Sequence, residues 1–200
     1  MTIPLWLDLG GLRVVRACWD AGKMADISAM LTADHRMTPE FVELSSRKGH
    51  LAYEGAETPL KGPEIDLPEG YGYKDKDGHR RHWARFSWWN GEATTLRQGA
   101  EIPSDAVGFD GKPMRLLPDT PIGDLALPRY TDPVPVIYGH YWRTGHPHVV
   151  NATAARVDYS AGTGHGPLVA YQWNGESTLA NEAFVSFPEG AGVANTNRSR

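Results

Sequence analysis

The stretch Pro133–Trp142, Pro-Val-Pro-Val-Ile-Tyr-Gly-His-Tyr-Trp, narrows most what this chain can fold into. Val134, Val136 and Ile137 form a short, nearly continuous apolar run. Such a run suits a strand buried on both faces, as inside an α/β layer structure. Gly139 follows and lets the backbone turn sharply or approach a ligand closely. His140 then stands just past the carboxyl end of the strand, where open α/β sheets place their ligand crevice. Imidazole is the commonest protein metal ligand, so strand, Gly and His in this order suggest the edge of a metal site. The plainer reading is a hydrogen-bonded loop histidine.

The chain of 200 residues is long enough for one domain with a sizeable core, or one domain carrying an insertion. A net charge of −4 offers no broad basic field, so neither nucleic acid nor an anionic membrane is an expected partner. Seven Trp and eight Tyr among 22 Gly and 15 Pro point to sheets and long ordered loops rather than a helical bundle. The single cysteine, Cys18, excludes an internal disulfide framework and fits a reducing cytoplasm. No window approaches the roughly 20 apolar residues that span a bilayer. The N-terminus has no basic region leading into an apolar one, so no signal peptide is expected and the location is read as cytoplasmic.

Along the chain, Ile3–Leu9 and Leu12–Trp19 read as two strands joined at Gly10-Gly11. Residues 20–37 read as a short mobile stretch. Thr38-Pro39-Glu40 is a helix start, with Phe41, Leu44, Leu51 and Leu60 as a partial apolar face that Gly49 interrupts. Lys61-Gly62-Pro63-Glu64 is the matching stop. A sharper reading gives Lys61 to an anionic substrate. Asp77-Gly78 marks a hairpin turn. Arg81–Trp89 then alternates with period two, as a half-exposed strand does. Its Arg and Trp residues could form a nucleic-acid or sugar platform, but Asp75, Asp77 and Glu92 dilute the charge, and a solvated strand face is preferred. Residues 91–132 are Pro-rich and irregular, a lid over His140 or a surface wrap.

Arg143, His146 and His148 follow the central strand, and His-x-His has no other ligand type close by. Val149–Tyr159 reads as a strand. The glycine loop at 161–166 lacks the Lys and Ser/Thr of a phosphate-binding P-loop and leads into a strand rather than a helix. Leu168–Trp173, Asn174-Gly175 and a segment from Ser177 read as a hairpin, and the tail at 191–200 as disordered.

Four segments resemble, as a set and in order, the bacterial calcineurin-like metallophosphoesterases, in particular the serine/threonine phosphatase and diadenosine-tetraphosphatase branch. They are Arg13–Trp19, Lys61-Gly62-Pro63-Glu64, Tyr138–Trp142 and Val157–Gly162, with Gly166–Tyr171 through Asn174-Gly175-Glu176 matching the family's C-terminus. The resemblance implies an α/β fold, the C-terminal part of an α/β/β/α sandwich, β-rich and ending in a hairpin. Residues 1–190 would be a partial phosphoesterase domain in which 38–132 is a helical and loop insertion or lid.

The resemblance also implies two divalent ions of the Mn or Fe type acting on a phosphate ester, a phosphoprotein or a dinucleoside polyphosphate. Of the family's ligands, Gly139-His140 supplies one, His140. The Asp-x-His, Asp-x-x-Asp and Asn-His-Glu sets would lie upstream of Met1. At the family's later His this chain has Arg16, whose guanidinium has no lone pair to give a metal. Weak or no metal binding and negligible hydrolysis are therefore expected of this chain alone, with His140 as metal ligand, Arg143 and Lys61 as substrate contacts, and no catalytic residue of its own. Activity would need an N-terminal segment or a separate chain. The other reading is a degenerate, non-catalytic remnant or a β-rich binding module.

Overall fold

A computed structural model describes residues 3–75, 78–103, 106–164 and 166–187. The fold is mixed α/β and rich in strands. The expected first hairpin is present as β1 (Trp6–Asp8) and β2 (Arg13–Val15), shorter than the apolar segments that announce them. Asp8 Oδ1 accepts from Gly10 N–H at 3.0 Å and holds the turn.

Residues 20–37 are not a mobile stretch throughout, because they contain helix α1 (Ala21–Ser28). Asp20 Oδ1 accepts from Lys23 N–H at 3.1 Å, a cap worth about 1 kcal/mol. Met24 and Ile27 bury one side of this helix. Helix α2 (Pro39–Ser45) begins where Thr38-Pro39 places it, with Thr38 Oγ1 accepting from Phe41 N–H at 3.0 Å. Gly49, at φ +84°, separates it from α3 (Leu51–Lys61), which stops before Gly62 at φ +78°.

The buried face of α3 is not leucine. Leu51 is exposed, and the face is built from Ala52, Gly55, Ala56 and Pro59, one stripe at helical spacing. A Cβ on Gly55 would lie 2.2 Å from Ile27 Cγ2, so α1 and α3 pack at a distance only glycine permits.

The chain divides into two units, Met1–Lys61 with Asp132–Arg200, and Gly62–Thr131. Helices α2 and α3 thus group with the first. The second contains β3 (Glu64–Asp66), β4 (Tyr73–Lys74), β5 (Arg80–Arg81), β6 (Trp83–Phe86), α4 (Leu96–Gly99), β7 (Ala100–Glu101) and β8 (Val107–Gly108). Two three-stranded sheets result, β3-β6-β7 and β5-β4-β8. Ala84 and Phe86 are buried while Trp83 and Arg85 are partly exposed, the alternation expected of that strand. Asp77 of the expected turn lies outside the described residues; Gly78 N–H donates to Asp75 O at 2.9 Å. The remainder up to Thr131 is largely irregular.

The first unit resumes with β9 (Val136–Tyr138), β10 (Val149–Asn151), β11 (Ala154–Arg156), β12 (Leu168–Tyr171) and β13 (Phe184–Phe187). Val149–Tyr159 is not one strand. Asn151 Oδ1 accepts from Thr153 N–H at 2.9 Å and reverses the chain, so β10 and β11 pair antiparallel. Nor does β12 turn back at Asn174-Gly175: it pairs with β13, and Leu179 in the connection leaves to fill the core. The tail at 191–200 lies outside the described residues.

A five-stranded sheet runs β1-β2-β9-β11-β10, with β2, β9 and β11 mutually parallel. Its register puts Val14, Ile137 and Ala155 on one face. There Leu12, Leu179, Tyr171, Trp173 and Phe184 pack against them, so the β12–β13 hairpin forms a second layer. The other face carries Trp6, Val15, Val136, Tyr138, Ala154 and Arg156, all buried. No described helix is long and apolar enough to cross a membrane.

Candidate functional site

Three neighbouring parallel strands necessarily end at one edge of the sheet, and the residues that follow them meet there. Arg16 follows β2, Gly139-His140 follows β9, and Asp158 comes two residues after β11. Gly139 N–H donates to Arg16 O at 3.0 Å. A Cβ on Gly139 would lie 3.4 Å from Arg16 O and 3.8 Å from the Asp158 Cβ, so the three segments are in close register. The expected strand–Gly–His order is therefore found at the carboxyl end of a buried central strand.

Asp158 organises this edge. Its Oδ2 accepts from His140 N–H at 3.0 Å and its Oδ1 from Ser160 N–H at 3.1 Å. Its own carbonyl accepts from Arg143 N–H at 3.0 Å. His140 and Ser160 sit at φ +63° and +64°, left-handed conformations that non-glycine residues seldom adopt. The carboxylate holds both turns in that geometry. A second tie comes from Arg156, buried at 5% exposure, whose Nη1 donates to Tyr141 O at 3.0 Å. Its guanidinium lies 5.7 Å from the Tyr138 ring centroid. Asp158 lies in the Val157–Gly162 segment, but no sequence reading makes it or Arg156 a site residue; an Asp two residues before a Ser, just past a strand, is the available signal.

Below Ser160 the chain makes a short 3-10 turn, Ala161–Thr163. His165 of the glycine loop is outside the described residues. Gly166 passes so close to the strand end that a Cβ there would lie 1.6 Å from Tyr159 O.

The other expected site residues are placed differently. Lys61 ends α3 and pairs with Glu57 at 2.8 Å. Pro59 O of the same helix accepts from Ala17 N–H at 2.9 Å, which ties this turn to the residue after Arg16. Arg143 joins the edge through its backbone bond to Asp158. His148 Nδ1 lies 3.0 Å from His146 O, and its N–H donates to the Tyr159 hydroxyl at 3.2 Å. Cys18 is buried, which, with Asp20 nearby, pushes its thiol far above the usual range and keeps it protonated. In the second unit Trp83 has Arg81 and Arg85 at 5.0 and 6.0 Å from its ring, but Arg81 pairs with Asp75 at 2.6 Å, as expected of a solvated strand face.

Among the described residues there is no group of three or more His, Cys, Asp or Glu side chains able to hold a metal ion. Arg16 stands at the same edge as His140 and adds a fixed positive charge. These residues do not fit a two-metal centre by themselves. No protein-family model, curated protein or solved structure gives a significant match to this chain.

Proposed function

We propose that this chain is the C-terminal part of a metal-dependent phosphoesterase of the calcineurin-like type, inactive alone. The observation that carries the reading is the shared edge: three parallel strands ending at Arg16, Gly139-His140 and Asp158. A five-stranded mixed sheet with a hairpin packed on one face agrees with part of an α/β/β/α sandwich. His140 is the residue offered to a metal, and Arg143 and Lys61 are the candidates for phosphate contact. The remaining ligands would come from an N-terminal segment or a separate chain bearing Asp-x-His, Asp-x-x-Asp and Asn-His-Glu.

The test is hydrolysis of p-nitrophenyl phosphate with added Mn²⁺. The 200-residue chain alone should show no turnover above buffer. Co-expression with a segment bearing those three motifs should produce Mn²⁺-dependent turnover that His140→Ala lowers by at least about a hundredfold. Turnover by the isolated chain, or none after complementation, refutes the reading.

A further inference from the structure

We propose that Asn174-Gly175 is a site of spontaneous modification, at which asparagine becomes aspartate and iso-aspartate and the hold of Trp173 on the core loosens. The chain has two Asn-Gly pairs, Asn90-Gly91 and Asn174-Gly175. Both qualify by composition, because glycine has no Cβ to crowd its nitrogen as it approaches the asparagine side chain. The step needs only water. Gly175 N loses its proton to solvent and bonds to Asn174 Cγ. The Cγ–Nδ2 bond breaks and ammonia leaves, closing a succinimide ring. Water then opens the ring at either carbonyl. One opening leaves aspartate; the other moves the peptide link onto the side chain and adds a methylene to the main chain.

The surroundings separate the two pairs. Asn174 and Gly175 are both exposed, and no neighbouring atom would lie within 4 Å of a Cβ on Gly175. The Gly175 N–H makes no hydrogen bond among the described residues. One long bond, from Asn174 Nδ2 to Gln172 O at 3.3 Å, restrains the amide. Gly91 N–H is likewise unengaged, but Asn90 and Gly91 are half-buried. Asn90 N–H donates to Ser87 O at 2.9 Å, and Asn90 O accepts from Ala93 N–H at 3.2 Å. A Cβ on Gly91 would lie 3.0 Å from Thr131 Cγ2 and 3.2 Å from Tyr130 O. Ring closure at Asn90 must push against these neighbours, whereas Asn174-Gly175 moves in solvent.

Trp173 sets the consequence. Its Nε1 donates to Glu176 O at 2.8 Å, and its ring packs against the cluster of Leu12, Ile137, Ala155 and Leu179. Glu176 Oε2 accepts from Asn174 N–H at 2.7 Å, which holds its carboxyl below the usual carboxylate range. An aspartate at 174 therefore stands as a like charge beside it. Iso-aspartate goes further: it lengthens the turn between Trp173 and Glu176 and pulls the indole bond across that turn out of geometry.

Ageing the 200-residue chain in mildly alkaline, metal-free buffer tests this, read by peptide mass spectrometry with an isoaspartyl methyltransferase assay on the same digest. Asn174 should gain about one dalton at least about tenfold faster than Asn90. The melting midpoint should fall with the modified fraction, and exchange of the Trp173 indole N–H should quicken. Asn174→Gln, whose longer side chain closes a ring far more slowly, should keep its midpoint through the same ageing. No conversion at Asn174, or conversion at Asn90 just as fast, overturns the proposal. So does an aged wild type that melts no lower than aged Asn174→Gln.

Discussion

The backbone N–H of His140 points at Asp158 Oδ2, 3.0 Å away, and the other oxygen of the same carboxylate holds Ser160 N–H. One side chain therefore fixes two left-handed turns on adjacent strand ends. Asp158→Ala should lower unfolding free energy by about 1–3 kcal/mol in urea, since two partly buried donors lose their acceptor. Amide hydrogen exchange at His140 and Ser160 should speed up more than elsewhere in the sheet. Asp158→Asn, with one acceptor oxygen, should protect one of the two amides and not the other. Unchanged exchange at both positions in the alanine variant would contradict this role.

Gly55 and Gly166 both lack room for a methyl, but for different reasons. Gly55→Ala places a methyl 2.2 Å from Ile27 Cγ2 and should cost about 1–3 kcal/mol by overpacking α1 against α3. Removing the clashing branch methyl, in Gly55→Ala with Ile27→Leu, should recover part of that loss. Gly166→Ala meets backbone rather than a side chain, 1.6 Å from Tyr159 O, so no neighbouring substitution should rescue it. Urea melts of the three variants decide the matter.

Arg156 is a buried cation whose Nη1 supports Tyr141 O. Arg156→Ala should destabilise by several kcal/mol, through a cavity and a carbonyl left without its donor. Arg156→Met, which fills most of the volume, should be milder. Equal melting of Arg156→Ala and wild type would show that the contact contributes nothing.

Acid should unfasten β9 from its approach. Asp132 accepts from Val134 N–H and pairs with Arg13 at 2.7 Å, and these contacts hold its carboxyl below the usual carboxylate range. With a lower pKa folded than unfolded, its contribution is complete above about pH 4 and is lost as pH falls through the folded value. Because Asp132 is largely solvated, the contribution is small. Asp132→Asn should flatten the decline in melting temperature below pH 4 and change little between pH 6 and 8.

The outer face of the β12–β13 hairpin is apolar and open. Leu168, Val185 and Phe187 are 66%, 51% and 74% exposed, and the pairing puts them on the same side. Light scattering should show concentration-dependent association of the isolated chain. Val185→Lys with Phe187→Glu should suppress it while leaving the circular dichroism spectrum unchanged. A concentration-independent monomer in the wild-type chain would exclude this.

Local chemistry made some of this readable in advance. Thr38-Pro39 marks a helix start because cap and ring geometry act within a few residues, and Gly139-His140 marks a strand end for similar reasons. The alternation through Trp83–Phe86 shows its buried side directly. What stayed hidden depended on distant partners. Helix α1 has only Met24 and Ile27 to bury, too short a pattern to announce itself, and packing on Gly55 supports it beyond its Asp20 cap. The reversal at Asn151 and the departure of Leu179 from its hairpin follow from a core shared with Leu12 and Ile137. Asp158 is an ordinary acidic loop residue until β9 lies beside it.

The pairing of β2 with β9 joins strands that the whole of Gly62–Thr131 separates in the chain. During synthesis the opening hairpin must wait for β9 and then β11, with the Val14 side of the future core still wet. Loop closure over such a span is slow, and contact order sets the pace. Early collapse of Gly62–Thr131 onto its own sheets would shorten the effective tether. The interruption in the middle of the sequence would then act as the clasp that brings the parallel ribbon together.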